Sequence, residues 1–480
     1  MRIYFMGICG TAMGNAALLL RECGHEVLGA DTGIYPPMST TLAAAGIEIL
    51  EGWSPERLEK LAPDLVVVGN AQSRGHPEVE WLLNERKIPF TSVPEILSRL
   101  LLSNRRNIVI SGTHGKTTTS AMTAFLLARA GVNPGWLVGG VPRDLSSGAE
   151  LGGKDAPFVI EGDEYDSAFF DKRSKFLHYN PRVLVVNNVE MDHADIFRDL
   201  ADVQRSFRHV SRIVPGKGWI LVNGDDPGAL ALLPCPWTKV VTAGLAEGCD
   251  LRLADFADSP EGVSFTLAWK GGAPIRVQLA LNGLFNARNA AMALLSSVLI
   301  REPVPEAIPD LLAEGAAAIS SFVGVHRRQE TLVETPALVA VEDFGHHPTA
   351  LACTLDALRA RWPGRKVVAV FEPRSNTSVT NLFEKEFTQA LAHADGALIG
   401  HVHRAEKIAP EKRLDTARVA EALRRDGREA FAAKDSAEVS AKLEGIALSA
   451  TAEKPVLVAF FSNGSFDGVI GRFAAGRRAK

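Results

Sequence analysis

The chain has 480 residues, of which 46% are hydrophobic and 22% are charged, and its formal net charge is −4. At about 150 residues per domain, this length predicts about three domains, each large enough to bury its own core. The sequence shows neither the basic excess nor the basic stripe that is typical of nucleic-acid-binding proteins. We therefore expect no nucleic-acid partner.

Cysteine usage and hydropathy bear on the compartment. The five cysteines are scattered without zinc-ligand spacing, which is typical of reduced thiols. The N-terminus lacks the pattern of a signal peptide, and no apolar run reaches the roughly 18 residues that span a bilayer. We therefore expect a cytoplasmic protein with no membrane partner.

The first part of the chain alternates short apolar runs with helical patterns, which is typical of a Rossmann-like parallel α/β sheet. Strands are predicted at Ile3–Met6, Glu26–Ala30 and Asp64–Gly69, and helices at Asn15–Arg21 and Thr40–Ala45. A polar stretch at residues 103–106 precedes the next strand. The first domain is therefore predicted to cover residues 1–104.

A glycine-rich loop follows the first predicted strand and opens the first helix. It contains Gly7, Gly10, Thr11 and Gly14, and Asp31 comes directly after the next strand. Such a loop indicates contact with a diphosphate, and Asp31 is placed to meet a ribose or a base. Because glycine-rich loops are common, a nicotinamide dehydrogenase is the alternative that this loop alone leaves open.

Two further α/β segments are predicted at residues 105–324 and 325–480. The second segment has predicted strands at Asn107–Ser111, Phe158–Glu161 and Val183–Asn187, then β-rich hairpins at residues 249–280 and a helix at Ala287–Ile300. The third has predicted strands at Leu338–Glu342, Lys366–Phe371, Gly396–Ile399 and Val456–Phe461 with helices between them. Both segments show the alternation of a doubly wound sheet.

The most specific motif is a phosphate-binding loop that follows Asn107–Ser111 and precedes a helix predicted from about Ser120. Its residues are Gly112, Thr113, His114, Gly115, Lys116, Thr117 and Thr118. Glycines let backbone N–H groups point at phosphate oxygens, and the helix N-terminus adds the positive end of its dipole. We expect Lys116 to reach the β- and γ-phosphates of ATP, and Thr117 to ligate Mg²⁺. A glycine turn that merely joins strand to helix is the alternative.

Two acidic clusters follow the next two strands of this segment, at residues 161–166 and 187–195. Ligands of an open parallel sheet bind beyond the carboxyl ends of its strands, so both clusters should lie beside the phosphate loop. Carboxylates close to phosphates require a cation, and Mg²⁺ prefers oxygen ligands. Glu161 is therefore the first metal candidate together with Thr117, and His193 is a candidate ligand of a second ion. Exposed acidic loops are the alternative.

Taken in order, these motifs resemble the Mur ligase family. The resemblance rests on the phosphate loop, the cluster at 161–166, Asp192-His193, the stretch Asn286-Ala287-Arg288-Asn289, and Arg328. It implies a Rossmann-like N-terminal domain for a UDP-sugar, a central ATPase domain and a Rossmann-like C-terminal domain for the amino substrate. By the same resemblance, the N-terminal glycine loop binds the UDP diphosphate and Arg328 contacts the γ-phosphate.

The resemblance also assigns the adenine site to Asn286 and Asn289, and it makes Lys116, His193 and Arg328 the catalytic residues. The sequence departs from the family in two places. Phe285 replaces the histidine that usually precedes the first asparagine, and residues 205–212 contain no lysine that could be carbamoylated. The second departure is typical of the branch that ligates L-alanine.

Other stretches are similar to the branch of the family that ligates a cell-wall tripeptide. One of them is the loop Arg374, Ser375 and Asn376, which follows the strand Lys366–Phe371. Arginine binds carboxylates bidentately, and the tripeptide L-Ala-γ-D-Glu-meso-diaminopimelate carries several. The resemblance places His346 and His347 near the incoming amine.

The implied reaction joins UDP-N-acetylmuramate to that tripeptide through an acyl phosphate, with ATP consumed, in peptidoglycan recycling. One alternative is a UDP-N-acetylmuramate–L-alanine ligase of the same family. An alternative of another class is a nucleotide-dependent switch that hydrolyses ATP without forming a bond.

Overall fold

The computed structural model describes residues 1–477 as three α/β units in chain order. The first is a parallel sheet with the strand order β3-β2-β1-β4-β5. Its strands are β1 (Arg2–Met6), β2 (Glu26–Asp31), β3 (Glu48–Glu51), β4 (Leu65–Val68) and β5 (Phe90–Ser92). Its helices are α1 (Thr11–Glu22), α2 (Met38–Ala44), α3 (Pro55–Leu61), α4 (Pro77–Glu85) and α5 (Val93–Leu97).

The central unit is a mixed sheet of ten strands with the order β17-β16-β15-β14-β13-β12-β6-β9-β7-β8, and β10 pairs with β11 in a separate hairpin. The strands are β6 (Asn107–Ser111), β7 (Gly135–Leu137), β8 (Ala149–Glu150), β9 (Phe158–Gly162), β10 (Asp166–Ala168), β11 (Asp171–Ser174), β12 (Pro181–Val186), β13 (Trp219–Asn223), β14 (Lys239–Gly244), β15 (Leu251–Ser259), β16 (Gly262–Trp269) and β17 (Ile275–Leu279). The helices are α6 (Lys116–Arg129), α7 (Leu200–Arg212), α8 (Pro227–Leu230), α9 (Leu284–Leu299) and α10 (Ile308–Ile319).

The third unit is a six-stranded sheet with the order β18-β19-β23-β20-β21-β22, parallel except for β18. Its strands are β18 (Glu330–Glu334), β19 (Leu338–Asp343), β20 (Lys366–Phe371), β21 (Gly396–Ile399), β22 (Glu429–Ala432) and β23 (Val456–Phe461). Its helices are α11 (Pro348–Arg361), α12 (Glu384–Leu391), α13 (Thr416–Arg425), α14 (Ser436–Ser449) and α15 (Val469–Ala475). We propose that the domain boundaries lie in the segments that join the three sheets, near residues 104 and 324.

The core of the central unit is built by α6 and α9 against the sheet. Ala121 and Ala124 of α6 and Ala290 and Ala293 of α9 are fully buried. These small side chains let the two helices pack closely, while the branched side chains of β6 and β12 fill the space beneath them. The packing holds the beginnings of both helices at one edge of the sheet.

The register of the central strands brings three loops together. Ser111, the last residue of β6, pairs with Gly162 of β9 on one side and with Val186 of β12 on the other. All three strands are parallel, so their carboxyl ends lie at the same edge. The loops that begin at residues 112, 163 and 187 are therefore neighbours.

The expected fold class is confirmed: two Rossmann-like units flank a central unit that is built on a mixed sheet. One prediction was wrong in detail, because α6 begins at Lys116 and not near Ser120. Gly115 adopts a left-handed φ of 78°, which ends the loop and makes Lys116 the first helical residue. The sequence analysis also missed ten of the strands: β3, β5, β7, β8, β10, β11, β13, β14, β18 and β22. None of the helices within residues 1–477 is long and apolar enough to cross a membrane.

Candidate active site

A cavity of about 660 Å³ lies where the three units meet. Thr11 and Asn70 line it from the N-terminal unit, and Arg328 and His346 line it from the C-terminal unit. The phosphate loop and the two acidic clusters of the central unit form its floor. A cavity shared by three units can hold several substrates in one place.

Steric crowding requires glycine at two positions of the phosphate loop. Gly112 has a φ of 140°, and a Cβ there would lie 2.9 Å from Cβ of Asn187. A Cβ on Gly115 would lie 2.5 Å from Oδ1 of Asn289. Backbone N–H of His114 donates to Oδ1 of Asn188 at 2.7 Å, which anchors the loop to the end of β12. The loop is thus a rigid turn whose helix N-terminus faces the cavity, as an anion site requires.

Lys116 lies among carboxylates at the beginning of α6. Its Nζ donates to Oε2 of Glu164 at 2.7 Å and is 3.7 Å from Oδ1 of Asp163. Burial alone would lower the pKa of Lys116, but the charges of Glu164 and Asp163 outweigh it and raise the pKa above its usual range. The ammonium group is therefore fully charged, and phosphate oxygens would have to replace these carboxylates as its partners.

Thr117 and Glu161 form the oxygen-rich part of the site. The Thr117 hydroxyl donates to Oε1 of Glu161 at 3.0 Å, and backbone N–H of Gly139 donates to Oε2 at 2.7 Å. Nη2 of Arg328 donates to the Thr117 hydroxyl at 3.3 Å. A hydroxyl and a carboxylate next to a phosphate loop are the donors that Mg²⁺ prefers, so this pair fits that ion.

His193 lies in a second group, beside Glu164. Its Nε2 is 3.4 Å from Oε1 of Glu164, an oxygen that is buried and lacks any hydrogen-bond partner. Burial would lower the pKa of His193, but the Glu164 carboxylate raises it above its usual value. Glu164 thus faces both Lys116 and His193. The sequence analysis named the cluster but gave Glu164 no role, because only the fold reveals which carboxylate faces the lysine.

The two asparagines assigned to adenine lie near the start of α9, both buried. Nδ2 of Asn286 donates to the Asn282 carbonyl at 2.8 Å and approaches Oε1 of Gln329 at 3.4 Å. Asn289 borders Gly115 of the phosphate loop. Both side chains line the cavity together with Phe285. These side chains border the phosphate loop at one end of the cavity.

The N-terminal glycine loop meets the same cavity from the other side. Gly7 has a left-handed φ of 86°, Gly10 caps α1, and Thr11 lines the cavity. A Cβ on Gly14 would lie 2.2 Å from Sδ of Met38, so glycine is needed for packing there. The Asp31 carboxylate accepts backbone N–H donors from Cys9 at 2.9 Å and from the turn that follows it. Asp31 therefore orders the loop.

Two histidines of the C-terminal unit, His346 and His347, face the acidic loop that follows β12. Nε2 of His346 is 3.8 Å from Oδ2 of Asp192, and Nε2 of His347 is 3.2 Å from the Met191 carbonyl. Burial lowers the pKa of His346, and burial and the neighbouring His114 lower the pKa of His347 to about 4. Both imidazoles are therefore neutral near pH 7.

The loop of Arg374 lies at the carboxyl end of β20. Nη1 of Arg374 donates to Oε1 of the buried Glu372 at 3.2 Å, which leaves the rest of the guanidinium accessible. The Ser375 hydroxyl bonds to Ser378 within the same turn, so it orders the loop. Nδ2 of Asn376 donates to Oδ2 of Asp195 at 2.8 Å, across the boundary between two units.

A further contact between these units was not predicted. The Thr377 hydroxyl donates to Oδ1 of Asp192 at 2.7 Å, and backbone N–H of His193 donates to the same oxygen at 2.7 Å. Burial would raise the pKa of Asp192, but the neighbouring histidines and this hydroxyl hold it well below its usual range. Thr377 follows Asn376 directly, so its place in the loop was the only available signal.

Comparisons with known proteins cover all three units. The family models that match are the catalytic domain of the Mur ligase family at residues 2–105, the Mur ligase middle domain at residues 110–297, and the Mur ligase glutamate ligase domain at residues 327–460. The chain belongs to the Mur ligase family. It is accordingly an ATP-dependent ligase that forms a C–N bond.

Relatives of this Mur ligase include a UDP-N-acetylmuramate–L-alanyl-γ-D-glutamyl-meso-2,6-diaminoheptandioate ligase from Escherichia coli (strain K12). The two are 42% identical over 397 residues, which is 82% of this chain and 84% of the relative. This chain is also similar to the crystal structure of a murein peptide ligase from Psychrobacter arcticus. The two are 33% identical with a TM-score of 0.73, and the match covers 100% of each chain. The structure of the UDP-N-acetylmuramate–alanine ligase MurC from Thermotoga maritima has a TM-score of 0.76 at 22% identity over 99% of each chain, and shows the fold alone.

The Mur ligase assignment predicts the effect of removing the phosphate-loop lysine. Lys116→Ala should lower the ligation rate by about 10²–10³-fold, because the transferring phosphoryl group loses its nearest cation. The measurement is ADP release by the purified, folded variant. Lys217→Ala, at an exposed position, is the matched control and should turn over like the wild type. Normal turnover of Lys116→Ala would overturn the assignment of the loop.

Proposed function

We propose that this Mur ligase joins UDP-N-acetylmuramate to L-alanyl-γ-D-glutamyl-meso-diaminopimelate with consumption of ATP, in peptidoglycan recycling. The observation that carries the proposal is the 42% identity to a relative named for this reaction, over a stretch that includes all three units. We further propose Mg²⁺ as the metal, the cytoplasm as the compartment and no nucleic-acid partner. The net charge of −4 supports the lack of a nucleic-acid partner, and the oxygen pair of Thr117 and Glu161 supports Mg²⁺.

The first chemical step forms an acyl phosphate. An oxygen of the lactyl carboxylate attacks the γ-phosphorus of ATP, and ADP leaves with the electrons of the broken P–O bond. Lys116 and Arg328 are placed to balance the charge of the transferring group, since Arg328 reaches Thr117 at the beginning of α6. When bound, Mg²⁺ would add further charge neutralisation, held by Thr117 and Glu161, and His193 would hold a second ion.

The second step forms the amide bond. The tripeptide amine attacks the acyl carbon, and the tetrahedral intermediate expels phosphate while the nitrogen loses a proton. His346 is a suitable base, because its Nδ1 faces the Phe344 carbonyl at 3.2 Å and its Nε2 can accept a proton near the Asp192 carboxylate. Asp192 would then stabilise the imidazolium. Nε2 of His347 already faces the Met191 carbonyl, so His347 is the weaker candidate.

Both steps require that water is kept away from the acyl phosphate. The C-terminal unit contacts the central unit through Thr377 on Asp192 and through Asn376 on Asp195. These contacts join the loop proposed for the tripeptide to the loop of His193. Binding of the amine donor would therefore order the groups that surround the acyl phosphate.

The metal proposal is tested by Glu161→Gln, which keeps the shape of the side chain and removes its charge. Activity should fall, and the Mg²⁺ concentration that gives half-maximal activity should rise by about tenfold or more, as for the loss of a charged ligand. The measurement is a Mg²⁺ titration at saturating ATP. Glu247→Gln, at a fully exposed side chain, is the control. An unchanged titration would show that Glu161 is not a ligand.

The substrate proposal is tested on Arg374, whose fork can hold a tripeptide carboxylate. Arg374→Ala should raise the tripeptide KM by about ten- to hundredfold, as for a lost charge-assisted hydrogen bond, with the KM values of ATP and UDP-N-acetylmuramate nearly unchanged. Arg374→Lys should restore only part of the loss. Arg425→Ala, on the exposed face of α13, is the control.

Steady-state kinetics with one substrate varied at a time gives these constants. A wild type that prefers free L-alanine to the tripeptide would place the chain in the alanine-adding branch. This chain is similar in fold to the MurC structure, which is a UDP-N-acetylmuramate–alanine ligase. ATP hydrolysis without any amide product would favour the nucleotide switch. Loss of ATP binding alone in Arg374→Ala would contradict the role of this loop.

A further inference from the structure

Three side chains that the ligation mechanism does not use converge next to the phosphate loop. His114 belongs to that loop, Glu190 follows β12, and His347 precedes α11 in the C-terminal unit. Oε2 of Glu190 is 3.6 Å from Nε2 of His114 and 3.6 Å from Nδ1 of His347. We call these three residues the interdomain triad. Two imidazoles and a carboxylate are a donor set typical of zinc sites.

The spacing of the ligand atoms suits a small divalent ion. The three atoms all lie within 4.8 Å of one another. A tetrahedral zinc site with bonds of about 2.0–2.2 Å separates its ligand atoms by about 3.3–3.5 Å. The two distances of 3.6 Å from Glu190 need only small side-chain rotations to reach that value.

The hydrogen bonds around the triad orient its lone pairs inward. Nε2 of His347 lies 3.2 Å from the Met191 carbonyl, which places the proton on Nε2. The lone pair on Nδ1 lies 3.6 Å from Oε2 of Glu190 and accepts only a long contact from backbone N–H of Thr349, at 3.4 Å. Metal-bound histidines are commonly held in this way, with the second nitrogen donating to a backbone carbonyl. The Thr349 hydroxyl donates to Oε2 of Glu190 at 2.7 Å and fixes the carboxylate.

The other imidazole of the triad belongs to His114. Nε2 of His114 is buried and has no hydrogen-bond partner. The His114 and His347 rings lie close together, with centroids 4.6 Å apart. Nε2 of His114, without a partner, and Nδ1 of His347, with one long contact from Thr349, therefore flank a carboxylate oxygen that accepts the Thr349 hydroxyl. A cation placed between them would satisfy every one of these groups.

We propose that the interdomain triad binds a divalent transition-metal ion of the zinc class, at a site separate from the Mg²⁺ site at Thr117 and Glu161. Imidazole nitrogens favour Zn²⁺ over Mg²⁺, which prefers an all-oxygen set. The triad lines the cavity, so water or a substrate oxygen can supply the fourth ligand. Because His347 comes from a different unit than His114 and Glu190, the ion ties the C-terminal unit to the phosphate loop.

The test is Zn²⁺ binding to the full-length, metal-stripped protein, measured by competition with a chromophoric chelator in excess Mg²⁺. The wild type should bind one Zn²⁺ tightly. His347→Gln and Glu190→Gln should each weaken that binding by at least about tenfold, since each removes one of three protein ligands. His209→Gln, at an exposed position of α7, is the matched control and should bind like the wild type.

A second variant distinguishes the triad from the other cluster of possible ligands, which consists of Asp163, Glu164 and His193. Glu164→Gln should keep tight Zn²⁺ binding if the ion occupies the triad. Loss of binding in Glu164→Gln with normal binding in His347→Gln would overturn the proposal, as would a wild type that binds no Zn²⁺.

Thermal unfolding shows whether each variant is folded, and Co²⁺ spectra report the coordination of the bound ion. Zn²⁺ should raise the Tm of the wild type and of His209→Gln, because an ion that binds only the folded state stabilises it. The rise should disappear in His347→Gln, whose own Tm without Zn²⁺ shows whether it is folded. Co²⁺ should give intense visible bands typical of tetrahedral nitrogen and oxygen ligation in the wild type and in His209→Gln, but not in His347→Gln. Weak bands in the wild type, typical of six-coordinate Co²⁺, would contradict a metal site at the triad.

Discussion

The parallel pairing of β6 with β9 on one side and β12 on the other is the constraint on which the site depends. Because Ser111 lies opposite Gly162 and Val186, the chain leaves all three strands at the same edge. The phosphate loop, the loop of Glu164 and the loop of His193 follow at once. A shift of one residue in the pairing of β9 with β6 would turn Glu161 away from Thr117, since side chains alternate between the two faces of a sheet.

The C-terminal unit contributes Arg328 to this edge of the central sheet. Arg328 reaches the Thr117 hydroxyl, and the Phe344 ring lies 4.7 Å beneath its guanidinium. Asp343 is buried close by and accepts N–H donors from Gln329 and Gly345, which fixes the segment that carries Arg328. In the proposed mechanism, Arg328 would therefore reach the phosphates from a different unit than the one that carries the phosphate loop. Chemistry at this edge therefore depends on the two units staying in contact.

Local motifs explain how much of this could be predicted from the sequence. The phosphate loop and the strands β6, β20, β21 and β23 were predicted, because glycine spacing and apolar runs are local signals. The pairing of Lys116 with Glu164 was not, since 48 residues separate the two and the cluster at residues 161–166 contains four acidic side chains. Thr377 on Asp192 joins residues 185 apart. Contacts of this kind depend on how the sheets pack, which no local pattern encodes.

Charge balance at Lys116 connects these observations. Lys116 already has two carboxylate neighbours, Glu164 and Asp163, and Asp163 is also paired with Lys175 at 2.6 Å. When ATP phosphates replace Glu164 as the partner of Lys116, the carboxylate must gain another cation or face the phosphates unpaired. In a cavity of low dielectric, that repulsion is costly.

Two cationic groups are placed to compensate this repulsion. One is His193, whose Nε2 is 3.4 Å from Oε1 of Glu164 and whose pKa is raised, and the other is Arg328. The loop of His193 is held by Thr377 of the C-terminal unit, and Arg328 comes from that unit as well. Tight phosphate binding and contact between the two units are therefore coupled through the same few charges.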